Sequence, residues 1–105
     1  MDKKILIVDD EKPILKVLES LFKNQGYSPH CTMNGAEAIE IVGVEGVRVC
    51  FLDLRMPVMD GMQVCRLIKN LDPGAYVFAL SAFAGSYTND EFHDVGFNGY
   101  FNKPF

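Results

Sequence analysis

Aspartates, a serine and a lysine recur in this chain at one kind of place, the residue directly after a short apolar run. Asp9 and Asp10 follow Ile5-Leu6-Ile7-Val8, Asp53 follows Val49-Cys50-Phe51-Leu52, Ser81 follows the run 76–80, and Lys103 follows 99–102. Short apolar runs closed by turn residues suit strands buried on both faces of a parallel sheet, and the carboxyl ends of such strands form the rim where open α/β sheets bind ligands. Acids from two strands can hold a hard divalent cation through oxygen, and Mg2+ takes one or two carboxylates plus water and phosphate. An aspartate can also act as a nucleophile and form an acyl phosphate. A hydroxyl and a lysine can bind the equatorial oxygens of a transferring phosphoryl group. Any one of these residues alone could be an ordinary loop residue, and polar residues after strands are common. Together they make poor scaffold, because two carboxylates about 4 Å apart repel by roughly 4 kcal/mol at an effective dielectric near 20. A cation and a lysine offset that repulsion, so the set makes sense as a phosphoryl-transfer site.

The elements that must position these groups can be read in order. Lys4–Val8 reads as the first strand, followed by a helix with Pro13 in its first turn, an apolar stripe of Ile14, Val17, Leu18, Leu21 and Phe22, and Gly26 as its stop. Ser28–Thr32 reads as a second strand, which Pro29 assigns to a sheet edge because it has no N–H to donate. Asn34 starts a second helix, which Gly43 and Gly46 are expected to break before the central strand at 47–52. Asp60-Gly61-Met62-Gln63 opens a third helix with an expected stripe of Val64, Leu67, Ile68 and Leu71, stopped by Asp72-Pro73-Gly74. A fourth strand at 76–80, a short helix opened by Thr88-Asn89-Asp90-Glu91 and closed by Gly96, and a fifth strand at Gly99–Asn102 complete the pattern. Strands alternating with helices imply right-handed crossovers and an all-parallel sheet.

The 105 residues suit one domain. The net charge of −4, with scattered Lys and Arg, excludes the basic stripe of a nucleic-acid binder. The first apolar run ends after four residues at Asp9, too soon for an export signal, and no stretch reaches membrane-spanning length. Cys31, Cys50 and Cys65 are odd in number, far apart and set among apolar residues, the usage of reduced, mostly buried thiols in a cytoplasmic protein.

Four segments in order, Ile7-Val8-Asp9-Asp10-Glu11, Leu52-Asp53-Leu54-Arg55-Met56-Pro57-Val58-Met59-Asp60-Gly61, Ala79-Leu80-Ser81-Ala82 and Gly99-Tyr100-Phe101-Asn102-Lys103-Pro104-Phe105, resemble the receiver domain of a two-component response regulator. The resemblance covers essentially the whole chain. It implies an α/β, flavodoxin-like fold, doubly wound around a five-stranded parallel sheet of order 2-1-3-4-5, which puts the Pro29 strand at an edge as its sequence independently requires. It implies a phosphorelay role: Asp53 accepts phosphate from a sensor histidine kinase or phosphotransfer protein, and the fourth-helix and fifth-strand surface switches to control a partner or output domain. By the same resemblance Asp10, Asp53 and the backbone carbonyl of Arg55 ligate Mg2+, with Asp9 acting through water or Lys103. The Ser81 hydroxyl and the Ala82 N–H bind the phosphoryl group, Lys103 pairs with it, the peptide before Pro104 is cis, and Tyr100 is the switch aromatic. Arg55 and Phe83 would flank the path of an attacking water, where the bulk of Phe83 slows loss of phosphate.

Two other classes fit less well. A degenerate receiver serving only as a binding module would not need Asp10, Asp53, Ser81 and Lys103. An aspartyl phosphatase of the Mg2+ type usually carries its nucleophile on the first strand with an acid two residues later, whereas here Asp53 is on the third strand and Arg55 holds that position. Receivers normally continue into a fifth helix, so the expectation for residues 1–105 is a receiver domain lacking it. Apolar residues of the central and fifth strands would then face water beside the first helix, favouring low stability or a homodimer.

Overall fold

A computed structural model describes residues 3–56, 59–81 and 93–102. The main elements are β1 (Lys4–Val8), α1 (Lys12–Asn24), β2 (Ser28–Thr32), α2 (Gly35–Glu45), β3 (Val49–Asp53), α3 (Gly61–Leu71), β4 (Tyr76–Ser81) and β5 (Gly99–Asn102). Residues 93–95 are also helical and end at Gly96. The five strands are parallel and ordered β2-β1-β3-β4-β5, the doubly wound sheet that the alternation of elements predicts, with the Pro29 strand at the edge.

Period-two alternation along each strand divides the interior into two halves. Leu6, Val8, Cys50, Leu52, Val77 and Ala79 face α2 and α3, where Ala38, Val42, Val64, Cys65 and Ile68 are buried against them. Ile5, Ile7 and Leu80, with Val49 and Phe51, face α1 through Leu15 and Leu18. On this second face the rings of Phe22, Phe51, Phe78 and Phe101 form a row, with successive centroids 5.2, 5.4 and 5.9 Å apart. Phe101 is 48% exposed at its end, and Phe51 is half-buried.

The structure corrects several boundaries and faces. The central strand starts at Val49, not 47, and Asp53 is its last residue; β4 likewise takes in Ser81. Gly43 lies within α2 and does not end it; Gly46 does, at φ 65°, a left-handed conformation that costs glycine little. Val17 and Leu21 in α1, and Leu67 and Leu71 in α3, point outward. The buried positions are Leu15 and Leu18 in α1, and Val64, Cys65 and Ile68 in α3. In both helices the core-facing stripe is rotated by roughly half a residue step toward i+1. Periodicity fixes that a helix has an apolar side, but the sheet and neighbouring helix decide which part of a wide stripe is covered.

Two helix starts are set by side chains. Asn34 Oδ1 accepts from the N–H groups of Ala36 and Glu37 at 2.8 and 3.1 Å. Asp60 accepts from Gln63 N at 2.9 Å while Gln63 Oε1 accepts from Asp60 N at 3.3 Å, a complete capping box.

The three thiols are unbridged, two of them buried. Burial pushes Cys50 up to about 12 and, with Glu19 beside it, Cys31 up to about 11; burial also pushes Cys65 up to about 11. The unfolded chain therefore ionises its thiols first as pH rises. Their contribution to stability is whole below about pH 9 and is lost between the unfolded value and about 11–12. In Cys50→Ala the fall in urea stability between pH 9 and 11 should be shallower than in wild type, although the variant is less stable at pH 8; equal slopes would contradict the assignment. On α3, Ile68→Ala should cost about 2–5 kcal/mol in urea unfolding, while Leu71→Ala stays within about 0.5 kcal/mol. Equal losses would put Leu71 back in the core.

Candidate functional site

Register brings the acids together. Val8 pairs with Leu52 across β1 and β3, so the next residues, Asp9 and Asp53, emerge side by side at the rim. One carboxylate oxygen from each of Asp9, Asp10 and Asp53 lies within 4.8 Å of the other two, an oxygen set of the kind a divalent cation takes. Asp9 is fully buried, Asp53 is buried, and Asp10 is half-buried at the mouth of the cluster.

Backbone N–H groups orient two of these carboxylates. Asp9 Oδ1 accepts from Glu11 N at 2.9 Å, and Asp53 Oδ1 accepts from Arg55 N at 3.2 Å. Each bond folds the chain back two residues after the strand, an Asx-type turn. Asp9 N donates to Thr32 O at 3.2 Å, and Leu54 N donates to Leu80 O at 3.1 Å, extending both ladders to the rim.

Ser81 is buried at the end of β4, one residue beyond Leu80, which pairs with Asp53. Opposite Ser81 in β5 stands Asn102, directly before Lys103. Tyr100 is half-exposed on β5, opposite Ala79. Arg55 is exposed, with its backbone in the loop that leaves Asp53. The structure thus brings together Asp9, Asp10, Asp53 and Ser81 from three strand ends, while Ala82, Phe83, Lys103 and Pro104 lie outside the described residues.

The loop from Asp53 to α3 carries a constraint that turn chemistry alone did not reveal. Gly61 N donates to Leu54 O at 3.2 Å, so the first residue of α3 lies against the strand end it left. The Asp60-Gly61 pair signals a turn in the sequence, but close approach to the Asp53 backbone is visible only in three dimensions.

What the cluster can do chemically follows from its charge. At 4.8 Å and an effective dielectric near 20, a pair of carboxylates repels by about 3 kcal/mol. The donor set fits Mg2+: all oxygen, anionic, drawn from two strands and open to water on the Asp10 side.

A sequence profile of the response regulator receiver domain matches residues 5–105. The chain is similar to the receiver domain of a sensor histidine kinase from Pseudomonas aeruginosa, described with a magnesium ion coordinated in the active site cleft. That match has 27% identity and a TM-score of 0.84, over 100% of this chain and 88% of the other. It is similar to a response regulator from Burkholderia pseudomallei described with a phosphorylated aspartic acid, calcium ion and citrate, at 25% identity and a TM-score of 0.90, over 99% of this chain and 61% of the other. A Vibrio cholerae chemotaxis protein shares the fold, at 23% identity and a TM-score of 0.89, over 100% of this chain and 89% of the other.

Removing one charge from the cluster should relieve its repulsion. In metal-free buffer containing a chelator, Asp10→Asn should raise the stability to urea by on the order of 1–3 kcal/mol, less at high salt. An unchanged or lowered midpoint would mean that the acids are not crowded in solution.

Proposed function

This chain belongs to the response regulator receiver domain family, and from that membership we propose that Asp53 accepts a phosphoryl group from a sensor histidine kinase or phosphotransfer protein, with Mg2+ bound beside it. The family consists of phospho-acceptor switches of two-component systems. The observation that carries the assignment to Asp53 is the cluster of Asp9, Asp10 and Asp53 carboxylates at the end of β1 and β3.

Asp10, Asp53 and the Arg55 carbonyl would hold the cation, and Asp9 would act through water or Lys103. Bound there, Mg2+ would neutralise charge on the carboxylates and on the phosphoryl oxygens. The Asp53 carboxylate accepts from Arg55 N through one oxygen, which orients the group, and a carboxylate oxygen of Asp53 would attack phosphorus. The new O–P bond forms as the P–N bond to the donor histidine breaks, and the electron pair returns to the imidazole nitrogen. Ser81, the Ala82 N–H and Lys103 would take the equatorial oxygens, so that the chain assists its own phosphorylation through positioning and charge.

Phosphorylation adds charge and acceptor oxygens at the rim. Ser81 and Lys103 would move toward them, Tyr100 on β5 would follow, and the fourth-helix and fifth-strand surface would change for a partner or an output domain. The size of that change is bounded by the difference in contacts between the two states. We read the whole of 1–105 as this one receiver domain, working in the cytoplasm, without direct nucleic-acid or membrane binding. No helix among the described residues is long and apolar enough to cross a membrane. A homodimer is a further partner state in this reading.

Asp53→Asn removes the nucleophilic oxygen. Incubation with a small phosphodonor and Mg2+ should add one phosphoryl group to wild type by intact mass, and none to Asp53→Asn or to wild type in excess chelator. Full labelling of Asp53→Asn would overturn the assignment.

A further inference from the structure

The loop that leaves Asp53 carries both that carboxylate and the Arg55 carbonyl, and it returns to its own starting point. Asp60 caps α3, and the first residue of that helix lies against the end of β3. The Gly61 N–H holds Leu54 O at 3.2 Å. A Cβ on Gly61 would run into the Asp53 carbonyl oxygen and would stand 2.9 Å from Leu54 Cα and 3.0 Å from the Asp53 carbonyl carbon. All three atoms are backbone, so no rotamer change could relieve the clash.

The other glycines differ. At Gly35 a Cβ would meet the side chains of Val64 and Met59 and no backbone, and at Gly43 it would meet nothing within 4 Å. Gly61 is buried and does not have a positive φ, so the requirement for glycine there comes from the contact and not from backbone conformation. An added methyl group must displace either the start of α3 or the Asp53-Leu54 backbone. The capping box and the buried Val64, Cys65 and Ile68 hold the helix side, and the Leu54 N to Leu80 O bond holds the strand side, so the clash must be taken up at the junction from which the Asp53 carboxylate and the Arg55 carbonyl depart.

We infer that Gly61 is a positioning residue for the acceptor site: its missing side chain lets α3 seat against the Asp53-Leu54 backbone and so sets where the Asp53 carboxylate and the Arg55 carbonyl stand. The inference rests on the reading of that rim as a Mg2+-dependent acceptor site, and it makes the geometry of the site depend on a residue that touches neither cation nor phosphate.

The test titrates magnesium chloride into purified protein and follows binding by two-dimensional NMR, which also reports that the chain is folded. Three proteins are compared: wild type, Gly61→Ala, and Val64→Ala, which weakens the packing of α3 without approaching Asp53. Gly61→Ala is also made in a Gly43→Ala background, where removing an interior helix glycine at an open site adds stability. The dissociation constant for Mg2+ should rise at least tenfold in both Gly61→Ala proteins and stay within about twofold of wild type in Val64→Ala. Wild-type affinity in folded Gly61→Ala would overturn the inference, as would an equal loss in Val64→Ala. Failure of Gly61→Ala to fold even in the Gly43→Ala background would make Gly61 part of the scaffold and overturn it too. Absence of Mg2+ binding by wild type would instead remove the acceptor reading, and this inference with it.

Discussion

Mutual repulsion among Asp9, Asp10 and Asp53 is the constraint on which the rest of the molecule bears. The three carboxylates offer oxygens within 4.8 Å of one another, and two of the residues are buried. Such a cluster works against folding unless the surrounding structure holds it and a cation completes it. What holds it is the packed sheet beneath. Leu6, Ile7, Val8 and Leu52 are fully buried directly below the rim, and their register fixes the positions at which the acids emerge. The stability of the core thus maintains a destabilising but useful arrangement at one edge, a common division between scaffold and site.

The connection between that strain and the proposed switching is local. Asp53 and Ser81 end adjacent strands, and Tyr100 sits on the next strand, so a charge added at Asp53 has neighbouring groups to recruit within one sheet edge. In the proposed function the cation and the phosphoryl group would act on the same carboxylate in opposite senses, one removing net negative charge and the other adding it. An equilibrium between two arrangements of the rim is what such opposed charges can bias.

Much of this was legible in the chain itself. The bounds of β1 could be read closely because an apolar run ends at Asp9, and those of β2 and β5 because turn residues, Gly26 and Asn34-Gly35 for one and Gly96 and Pro104 for the other, bracket them. Pro29 announced an edge strand by the N–H it lacks. Asp53 and Ser81 were read as following their strands and prove to be the last residues of them, since ladder hydrogen bonds continue to the rim through Leu54 N and Leu80 O. The helix faces were less legible. In α1 and α3 the apolar residues span a wider arc than the sheet covers, so Val17, Leu21, Leu67 and Leu71 fit the period yet stand outside the core. Gly43 and Gly46 look alike in sequence, and only the positive φ of Gly46 separates a helix stop from an interior glycine. The approach of Gly61 to the Asp53 backbone depends on how the following helix seats, which no spacing of residue types encodes.

The central claim is that the acidic rim is built for a divalent cation, and equilibrium unfolding in the presence of Mg2+ tests it most directly. Ligand binding to the folded state alone adds RT ln(1 + [L]/Kd), about 2.7 kcal/mol at a hundredfold excess over the dissociation constant. Urea unfolding followed across a magnesium chloride series, with ionic strength matched by sodium chloride, should show that stability growing with the logarithm of Mg2+ concentration above the dissociation constant. Midpoints that track ionic strength alone, with no difference between the magnesium and sodium series, would contradict the account.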